Sequence, residues 1–182
     1  MYHIKNDKRA LTSTRLICEA FQRCLQEKPY GQITISDIQR LSTVSRSTFY
    51  RNFDSLEDVL SLLCDKGFAE AFSAREENRS APIAVFRYWY NHGELLEAVL
   101  QSGHIELFLD SFRRSLEAAG AARLVNADGA EFDYFISSIA YVMIGTLATW
   151  IRRGRQENEQ KLLHALKDAF SAIDTLKILM VD

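Results

Sequence analysis

Residues 33–60 read ITISDIQRLSTVSRSTFYRNFDSLEDVL, and this stretch carries the signals for two short helices separated by a tight turn. Thr34 and Asp37 have the spacing of a helix N-terminal cap followed by an acidic residue in the first turn. Ser45 is placed to cap a second short helix over residues 46–52, and the three residues before it form the turn. The stretch therefore predicts a helix-turn-helix unit.

Two helices of this size bury too little surface to be stable alone, so a further helix must pack behind them. The segment 13–28 is the candidate, because its apolar residues recur at three- and four-residue steps and Pro29 ends it. Together the three helices would make one small domain. The inward positions of the helix-turn-helix are expected to be Ile35, Ile38, Leu41, Val44, Phe49 and Phe53.

The second short helix then presents a polar face to solvent. Its outward side chains are hydroxyls, guanidinium groups and a phenol, which is the chemistry that recognition in the DNA major groove requires. Arginine can donate two hydrogen bonds to a guanine edge, and backbone N–H groups at a helix N-terminus attract phosphate. We therefore expect this face to contact double-stranded DNA. It consists of Ser45, Arg46, Ser47, Thr48, Tyr50 and Arg51.

The same stretch resembles the TetR family of transcriptional regulators. It has a hydroxyl-capped second helix, a Val-Ser turn, a Thr-x-Tyr-x-x-Phe recognition helix and a Ser-x-Glu entry into a long fourth helix, and the likeness extends back to residues 19–21 and 28–30. The resemblance implies that Thr34 and Tyr50 contact phosphate. The residues that it places nearest the bases are Ser45, Arg46, Ser47 and Thr48.

Two departures from the family pattern affect the expected interface. Thr43 stands where the family usually has glycine in the turn, so the backbone there either avoids positive φ or tolerates some strain. Leu56 stands where the family usually has a lysine that reaches phosphate. Without that lysine, binding should be weaker on all DNA sequences and the salt dependence flatter by about one unit of slope.

The remainder of the chain predicts a second, helical domain, with residues 1–55 as the DNA-binding domain and 56–182 as the second. The resemblance implies that this second domain serves effector binding and dimerisation. A polar joint is expected at residues 75–82, and two longer helices, residues 131–153 and 157–176, end the chain. In the family these two helices pair with the same helices of a second subunit in a four-helix bundle. The resemblance therefore implies a homodimer on a palindromic operator. The expected interface residues are Ile136, Ile139, Met143, Leu147, Trp150, Leu162, Leu166 and Phe170.

Aromatic and histidine side chains gather in the middle of the chain. The resemblance implies a pocket there for a small, largely apolar effector whose binding releases a repressor from DNA. An ordinary aromatic core would have the same composition. The candidate pocket residues are Phe68, Phe72, Trp89, His104, Phe108, Phe112, Tyr134 and Tyr141.

Two other functions stay open. Residues 86–114 are similar to a subgroup of these regulators, some of whose members are controlled by a protein partner. In this hypothesis the protein is a DNA-binding regulator whose signal is a protein partner instead of a small molecule. A third hypothesis is a helical interaction protein whose helix-turn-helix no longer binds DNA. The cationic recognition face favours the two DNA-binding hypotheses over this third one.

The composition agrees with an all-α protein. The 182 residues include only two prolines and eight glycines, and 47% are hydrophobic, which is ample for a packed core. Charge is unevenly distributed, because residues 1–55 hold nine Lys and Arg against five Asp and Glu while the rest of the chain is acidic. The basic end is the candidate for binding nucleic acid.

Other classes of function find little support in the sequence. It contains no glycine-rich phosphate loop, no HExxH and no GxSxG, so neither an enzyme nor a cofactor is expected. The cysteines Cys18, Cys24 and Cys64 lack CxxC spacing, which favours reduced core thiols over disulfides or a metal site. An N-terminus without an apolar signal segment predicts a cytoplasmic location. Residues 134–151 carry no charge, but we expect a helix buried in an oligomer rather than a membrane span.

Overall fold

The computed structural model describes residues 2–73, 81–118 and 129–179. Within these ranges the protein consists of nine α-helices and one 3₁₀ turn (Tyr30–Gln32), with no strand, which confirms the expected all-α fold. The helices are α1 (Lys8–Glu27), α2 (Ile35–Ser42), α3 (Arg46–Asn52), α4 (Leu56–Ser73), α5 (Ala81–Asn91), α6 (Gly93–Ser102), α7 (Ile105–Ala118), α8 (Gly129–Arg152) and α9 (Glu159–Leu179).

The chain divides into two compact units, each of which is discontinuous in sequence. The first unit consists of Met1–Gly67 and Glu94–Ser111, and the second of Phe68–Gly93 and Phe112–Asp182. Helices α4 and α7 therefore contribute residues to both units. The expected domain boundary after residue 55 stays a prediction, and most of the expected polar joint before α5 lies outside the described residues.

Helix α1 is the platform on which the two short helices of the first unit pack. It begins at Lys8 because Asp7 caps it: the Asp7 Oδ1 atom accepts hydrogen bonds from the backbone N–H groups of Arg9 and Ala10, at 3.0 and 2.8 Å. The expected start at residue 13 was therefore wrong, and Asp7 is the cap signal that marks the true start.

The helix-turn-helix packs through the apolar positions that the sequence indicated. Phe49 and Phe53 are buried with their ring centroids 5.7 Å apart, and α1 contributes buried Ile17 and Phe21 to the core of the same unit. Among the six expected inward residues, Ile38, Phe49 and Phe53 are buried, and Ile35, Leu41 and Val44 are partly buried.

In the second unit, α8 packs against α5 and α9. The Trp150 ring stacks on Tyr90 with centroids 4.7 Å apart, and its indole N–H donates to the backbone carbonyl of Glu157 at 3.0 Å. An ion pair between Arg87 and Glu159 also joins α5 to α9. These contacts fix one face of α8 inside its own protomer.

By length and composition, α8 is the one helix in the described ranges that could also cross a membrane. Core helices of water-soluble proteins meet the same test. The side chains of Ile136, Met143 and Leu147 are buried in the protein, as expected for a helix that contributes to a core.

Candidate nucleic-acid interface

A complete capping box fixes the start of α2. The Thr34 hydroxyl accepts from the Asp37 backbone N–H at 3.2 Å and donates to Asp37 Oδ2 at 2.6 Å, while that carboxylate accepts from the Thr34 backbone N–H at 2.9 Å. Because the Thr34 hydroxyl proton is already donated, a DNA phosphate would have to compete with Asp37 for it. The expected phosphate contact of Thr34 stays a prediction.

The same carboxylate ties α2 to the end of α1. Lys28 Nζ donates to Asp37 Oδ2 at 2.6 Å, and Arg40 lies 3.9 Å from the other carboxylate oxygen. The hydrogen bond from Lys28, together with those from Thr34, holds the pKa of Asp37 well below its usual range. Asp37 is therefore charged at neutral pH and contributes to positioning the helix-turn-helix.

The turn between α2 and α3 contains a threonine in the left-handed conformation. Thr43 has φ 58° and ψ 11°, so the backbone keeps the positive φ for which glycine is better suited. Its N–H donates to the carbonyl of Gln39 at 2.9 Å, and the Ser42 hydroxyl accepts from the N–H of Val44 at 3.1 Å. The turn therefore tolerates strain at Thr43 and satisfies its backbone groups locally.

Ser45 caps α3 as expected. Its hydroxyl accepts from the backbone N–H of Thr48 at 3.2 Å and donates to the Thr48 hydroxyl at 2.9 Å, and it lies 3.0 Å from the hydroxyl oxygen of Ser47. This network fixes the N-terminus of the helix that is expected to read DNA. The Ser45 hydroxyl is thus used in capping α3, and its expected contact with DNA stays a prediction.

The remaining expected DNA-binding residues lie on the solvent-facing surface of α3. Arg46, Ser47, Tyr50 and Arg51 are exposed, and Thr48 is partly buried. The Arg46 guanidinium lies over the Tyr50 ring, 5.5 Å from its centroid, and its Nη2 is 3.3 Å from the Tyr50 hydroxyl oxygen. The contact with Tyr50 restricts the guanidinium of the exposed Arg46 side chain.

Helix α4 begins directly after this face. Leu56 is its first residue and is partly buried, whereas the neighbouring Glu57 accepts a hydrogen bond from the Tyr30 hydroxyl at 2.8 Å. Burial, followed by this hydrogen bond, raises the pKa of Tyr30. At the start of α4, Leu56 and Glu57 therefore make contacts within the protein.

The residues expected to form an effector pocket fall in both units. In the second unit the rings of Phe68, Trp89, Phe112 and Phe72 pack against one another, with centroid distances of 5.0 Å for Phe68–Trp89, 5.3 Å for Phe68–Phe112 and 6.4 Å for Phe72–Phe112. Phe108 is buried in the first unit, and the other three expected residues are exposed, namely His104, Tyr134 and Tyr141. The four packed rings fill space that an effector would need, so the pocket stays a prediction.

Most residues expected to form the dimer interface are buried within the protomer. Ile139 and Phe170 are only partly buried, and the buried ones are Ile136, Met143, Leu147, Trp150, Leu162 and Leu166. Large exposed side chains lie elsewhere on α8: Tyr134 is 75% exposed, Tyr141 is 50% exposed and Phe135 is 41% exposed. Both faces of α8 carry apolar residues, and the sequence pattern did not separate them.

The chain is similar in sequence to two known regulators. Over 65 residues it is 35% identical to the HTH-type dhaKLM operon transcriptional activator DhaS of Lactococcus lactis, and 37% identical to the uncharacterized HTH-type transcriptional regulator YxbF of Bacillus subtilis. The matches cover 36% and 35% of this chain but only 35% of DhaS and 17% of YxbF. No family model matches the chain.

Solved structures match over nearly the whole chain. A TetR transcriptional regulator from Streptococcus agalactiae is 26% identical, with a TM-score of 0.60 over 88% of this chain and 94% of that one. A protein from Listeria innocua has the same fold at 16% identity, with a TM-score of 0.70 over 94% of this chain and 96% of its own. A transcriptional regulator from Aquifex aeolicus matches at 17% identity and a TM-score of 0.52, over 88% of this chain and 99% of its own.

The fold and the capped helix-turn-helix are those of DNA-binding transcriptional regulators, the class to which the matched relatives belong. The chain shares its fold with TetR-family regulators, as the match to the regulator from Streptococcus agalactiae shows.

Proposed function

We propose that the protein binds a palindromic DNA operator as a homodimer and reads each half-site with α3. The observation that carries the proposal is the exposed polar face of α3, a helix fixed at its start by Ser45 and anchored by the buried rings of Phe49 and Phe53. A helix held in this way presents Arg46 and its neighbours in a defined geometry, which base-specific hydrogen bonds require.

An exposed stripe on α8 supports self-association. Its residues recur at three- and four-residue steps and therefore share one face of the helix. Two of them, Tyr134 and Tyr141, are large aromatic side chains exposed to solvent in the single protomer. The stripe consists of Tyr134, Ser138, Tyr141, Gly145 and Thr149.

A groove of about 560 Å³ between α8 and α9 adjoins this stripe. Gly145, Ala165 and Ala169 line it, so its walls are low enough for another helix to approach closely. An aromatic ridge and a small-residue groove on the same helix pair allow the same surface of a second copy to fit against it about a two-fold axis. We therefore propose the exposed stripe, rather than the buried face of α8, as the dimer contact.

A homodimer carries two copies of α3, and dimers of helix-turn-helix proteins bind palindromic sites whose two half-sites lie about one helical turn of DNA apart. The test is selection of bound duplexes from a random DNA pool by the purified full-length protein at moderate salt, followed by sequencing. The Arg46→Ala variant is the matched control. A palindrome recovered by the wild-type protein supports the proposal, and a pool without enrichment at any salt concentration contradicts it.

The direction of regulation and its signal are separate parts of the proposal. We propose a repressor released by a small apolar effector, although the relative DhaS is named as an activator. An effector would have to displace packed rings such as Phe68 and Trp89. Thermal-shift screening against apolar compounds tests this part, since a ligand at a hundred times its Kd should stabilise the protein by about 2.7 kcal/mol. If no compound stabilises the protein, a protein partner becomes the better candidate for the signal.

The relatives are named as regulators of transcription, so we propose a regulatory role in the cytoplasm without catalysis. A reporter gene placed under the selected operator would show whether expression falls or rises when the protein is present. A fall supports repression, and a rise supports activation.

A further inference from the structure

A cleft with a volume of about 640 Å³ opens beside α3 in the first unit. One wall is the flank of α3, and the other is the first turns of α1 with the short segment that precedes it. The lining of the cleft includes Lys5, Asp7, Lys8, Arg9, Arg51 and Asn52.

The cleft is strongly cationic. Lys5, Lys8, Arg9 and Arg51 are exposed side chains, and within the described residues none of them has a carboxylate partner within 4.0 Å. Asp7 is the one acidic residue of the lining, and its carboxylate accepts the backbone N–H groups at the start of α1. The carboxylate of Asp7 offsets one of the four cations, so the lining of the cleft keeps an excess of positive charge.

A polar contact joins the two walls at the floor of the cleft. Asn52 of α3 is 2% exposed, and its side-chain amide donates to the Thr48 carbonyl at 2.8 Å and lies 3.4 Å from the hydroxyl oxygen of Ser13 in α1. Because Asn52 and Ser13 are both buried, the spacing between the walls is set by packing. The cleft is thus a formed feature of the fold.

The segment before α1 is also held in place. The Tyr2 hydroxyl donates to Asp65 Oδ2 at 2.6 Å, and the backbone N–H of His3 donates to the carbonyl of Asn52 at 3.0 Å. These contacts attach the segment to α4 and to the end of α3. They bring Lys5 to the cleft, where its ammonium group adds to those of α1.

The position of the cleft beside α3 identifies its ligand. An α-helix with its side chains is about as wide as the DNA major groove, so the flanks of a helix in the groove face the sugar-phosphate backbones that border it. Thr48 and Arg51 lie on such a flank, next to the exposed face that carries Arg46 and Tyr50. We infer that the cleft holds phosphates of the operator backbone, and that the N-terminal segment and α1 are a second DNA-contacting element.

This inference rests on the proposed function and adds residues to it that the recognition pattern does not contain. Its contacts are to phosphate, so they should strengthen binding to every DNA sequence alike. They would also replace the cation that Leu56 does not supply at the start of α4.

The test measures DNA binding of the full-length protein by fluorescence anisotropy at roughly five salt concentrations between about 50 and about 250 mM. Each measurement is made on the selected operator and on a scrambled duplex. The double variant Lys5→Gln/Lys8→Gln removes two cleft cations. The control Lys66→Gln/Lys167→Gln removes two exposed cations outside the cleft. All four positions are exposed, so folding should be unaffected, which the thermal unfolding midpoint verifies.

The cleft variant loses two cations per protomer and therefore four per bound dimer. The slope of log K against log salt should become shallower by about four units for the dimer, with affinity near 0.1 M salt reduced roughly ten-fold for each lost contact. The loss should be equal on both duplexes, and the control should retain the wild-type slope. An unchanged slope for the cleft variant, with wild-type binding intact, overturns the inference and leaves the proposed function standing. A wild-type protein that binds no duplex contradicts the proposed function itself.

Inorganic phosphate provides the remaining arm of the test. If phosphate stabilises the wild-type protein against unfolding but not the cleft variant, while the variant keeps the wild-type salt slope on DNA, the cleft is a site for free anions and the inference of a DNA contact is wrong. Loss of the DNA slope in the variant supports the inference.

Discussion

Lys28 Nζ lies 2.6 Å from Asp37 Oδ2, so one ion pair joins the C-terminal cap of α1 to the first turn of α2. The two side chains are only 27% and 19% exposed. The same carboxylate closes the capping box with Thr34. Asp37 therefore links the start of α2 to the end of α1, in addition to the apolar packing between these helices.

Replacing Asp37 should lower the stability of the folded protein by an amount that depends on pH. The pKa of Asp37 is lower in the folded state than in the unfolded chain. As the pH falls, the unfolded state therefore binds more protons than the folded state does, and the folded state loses stability. The stability that Asp37 contributes is thus present above its ordinary pKa of about 4 and is lost as the pH falls below that value. Asp37→Asn should lower the unfolding midpoint at pH 7, and the difference from wild type should shrink towards pH 3.

Thermal unfolding followed by circular dichroism at several pH values measures this effect. Asp110→Asn is the control, because Asp110 is an exposed carboxylate of α7 outside the helix-turn-helix. A difference between wild type and Asp37→Asn that stays constant from pH 7 to pH 3 would contradict the role of the charged carboxylate.

The strained turn predicts a stabilising substitution. Thr43 is β-branched and holds φ 58°, which costs roughly 1 to 2 kcal/mol for a residue other than glycine. Thr43→Gly removes that strain but increases the freedom of the unfolded chain, so the free energy of unfolding should rise by about 0.5 to 1 kcal/mol. Chemical denaturation measures it. Thr12→Gly, at an exposed position within α1, should instead lower the free energy of unfolding.

Arg46 and Tyr50 should affect DNA binding in different ways. Arg46→Ala should relax the preference at one base pair, at a cost of about 1 to 3 kcal/mol on the selected operator. Tyr50→Phe keeps the ring under the guanidinium and removes only the hydroxyl, so binding should weaken without a change of preferred sequence. Competition binding with single-base variants of the operator distinguishes the two. Equal losses on all sequences for Arg46→Ala would remove this residue from the base-reading set.

Gly145 provides a test of the dimer face. An added Cβ at this position meets no atom within 4 Å in the protomer, so Gly145→Arg should leave the fold intact. If a second copy packs on the stripe, the long charged side chain should shift the protein from dimer to monomer at micromolar concentration. Sedimentation velocity measures the change, with Gln26→Arg of α1 as the control. A dimer that survives Gly145→Arg places the interface elsewhere.

The cysteines should react slowly with thiol reagents. Cys18, Cys24 and Cys64 are each at most 3% exposed, and burial raises the pKa of Cys18 to about 11. Very little of Cys18 is therefore thiolate at pH 8. Labelling by a chromogenic disulfide should require opening of the protein, so its rate should rise sharply in denaturant. Rapid labelling of one thiol in the native protein at pH 8 would contradict this burial.

The sequence predicted the helix-turn-helix well because its signals are local. Caps such as Thr34 and Ser45 act within a few residues, and their hydrogen bonds are formed where the spacing indicated. The start of α1 was misplaced because residues 8–12 are mostly polar and lack the apolar period, although Asp7 is a cap signal.

Features that depend on tertiary contacts could not be predicted from the same patterns. Which apolar face of α8 is buried is decided by its packing against α5 and α9, so Leu147 and Tyr141 could not be told apart by hydrophobicity. The cationic cleft was missed for a similar reason, because Lys5 and Arg51 are brought together only when α1 and α3 pack.

The first unit consists of Met1–Gly67 together with Glu94–Ser111, and this arrangement limits how the protein can be re-engineered. Within the unit, the backbone N–H of Tyr30 donates to the side chain of Gln101 at 3.0 Å, so residues far apart in the gene depend on each other. A chimera made by one crossover after residue 67 would inherit the recognition helix without the helices α6 and α7 that complete its unit. Transfer of operator specificity to another regulator would therefore be better achieved by exchanging surface residues of α3 than by joining gene segments.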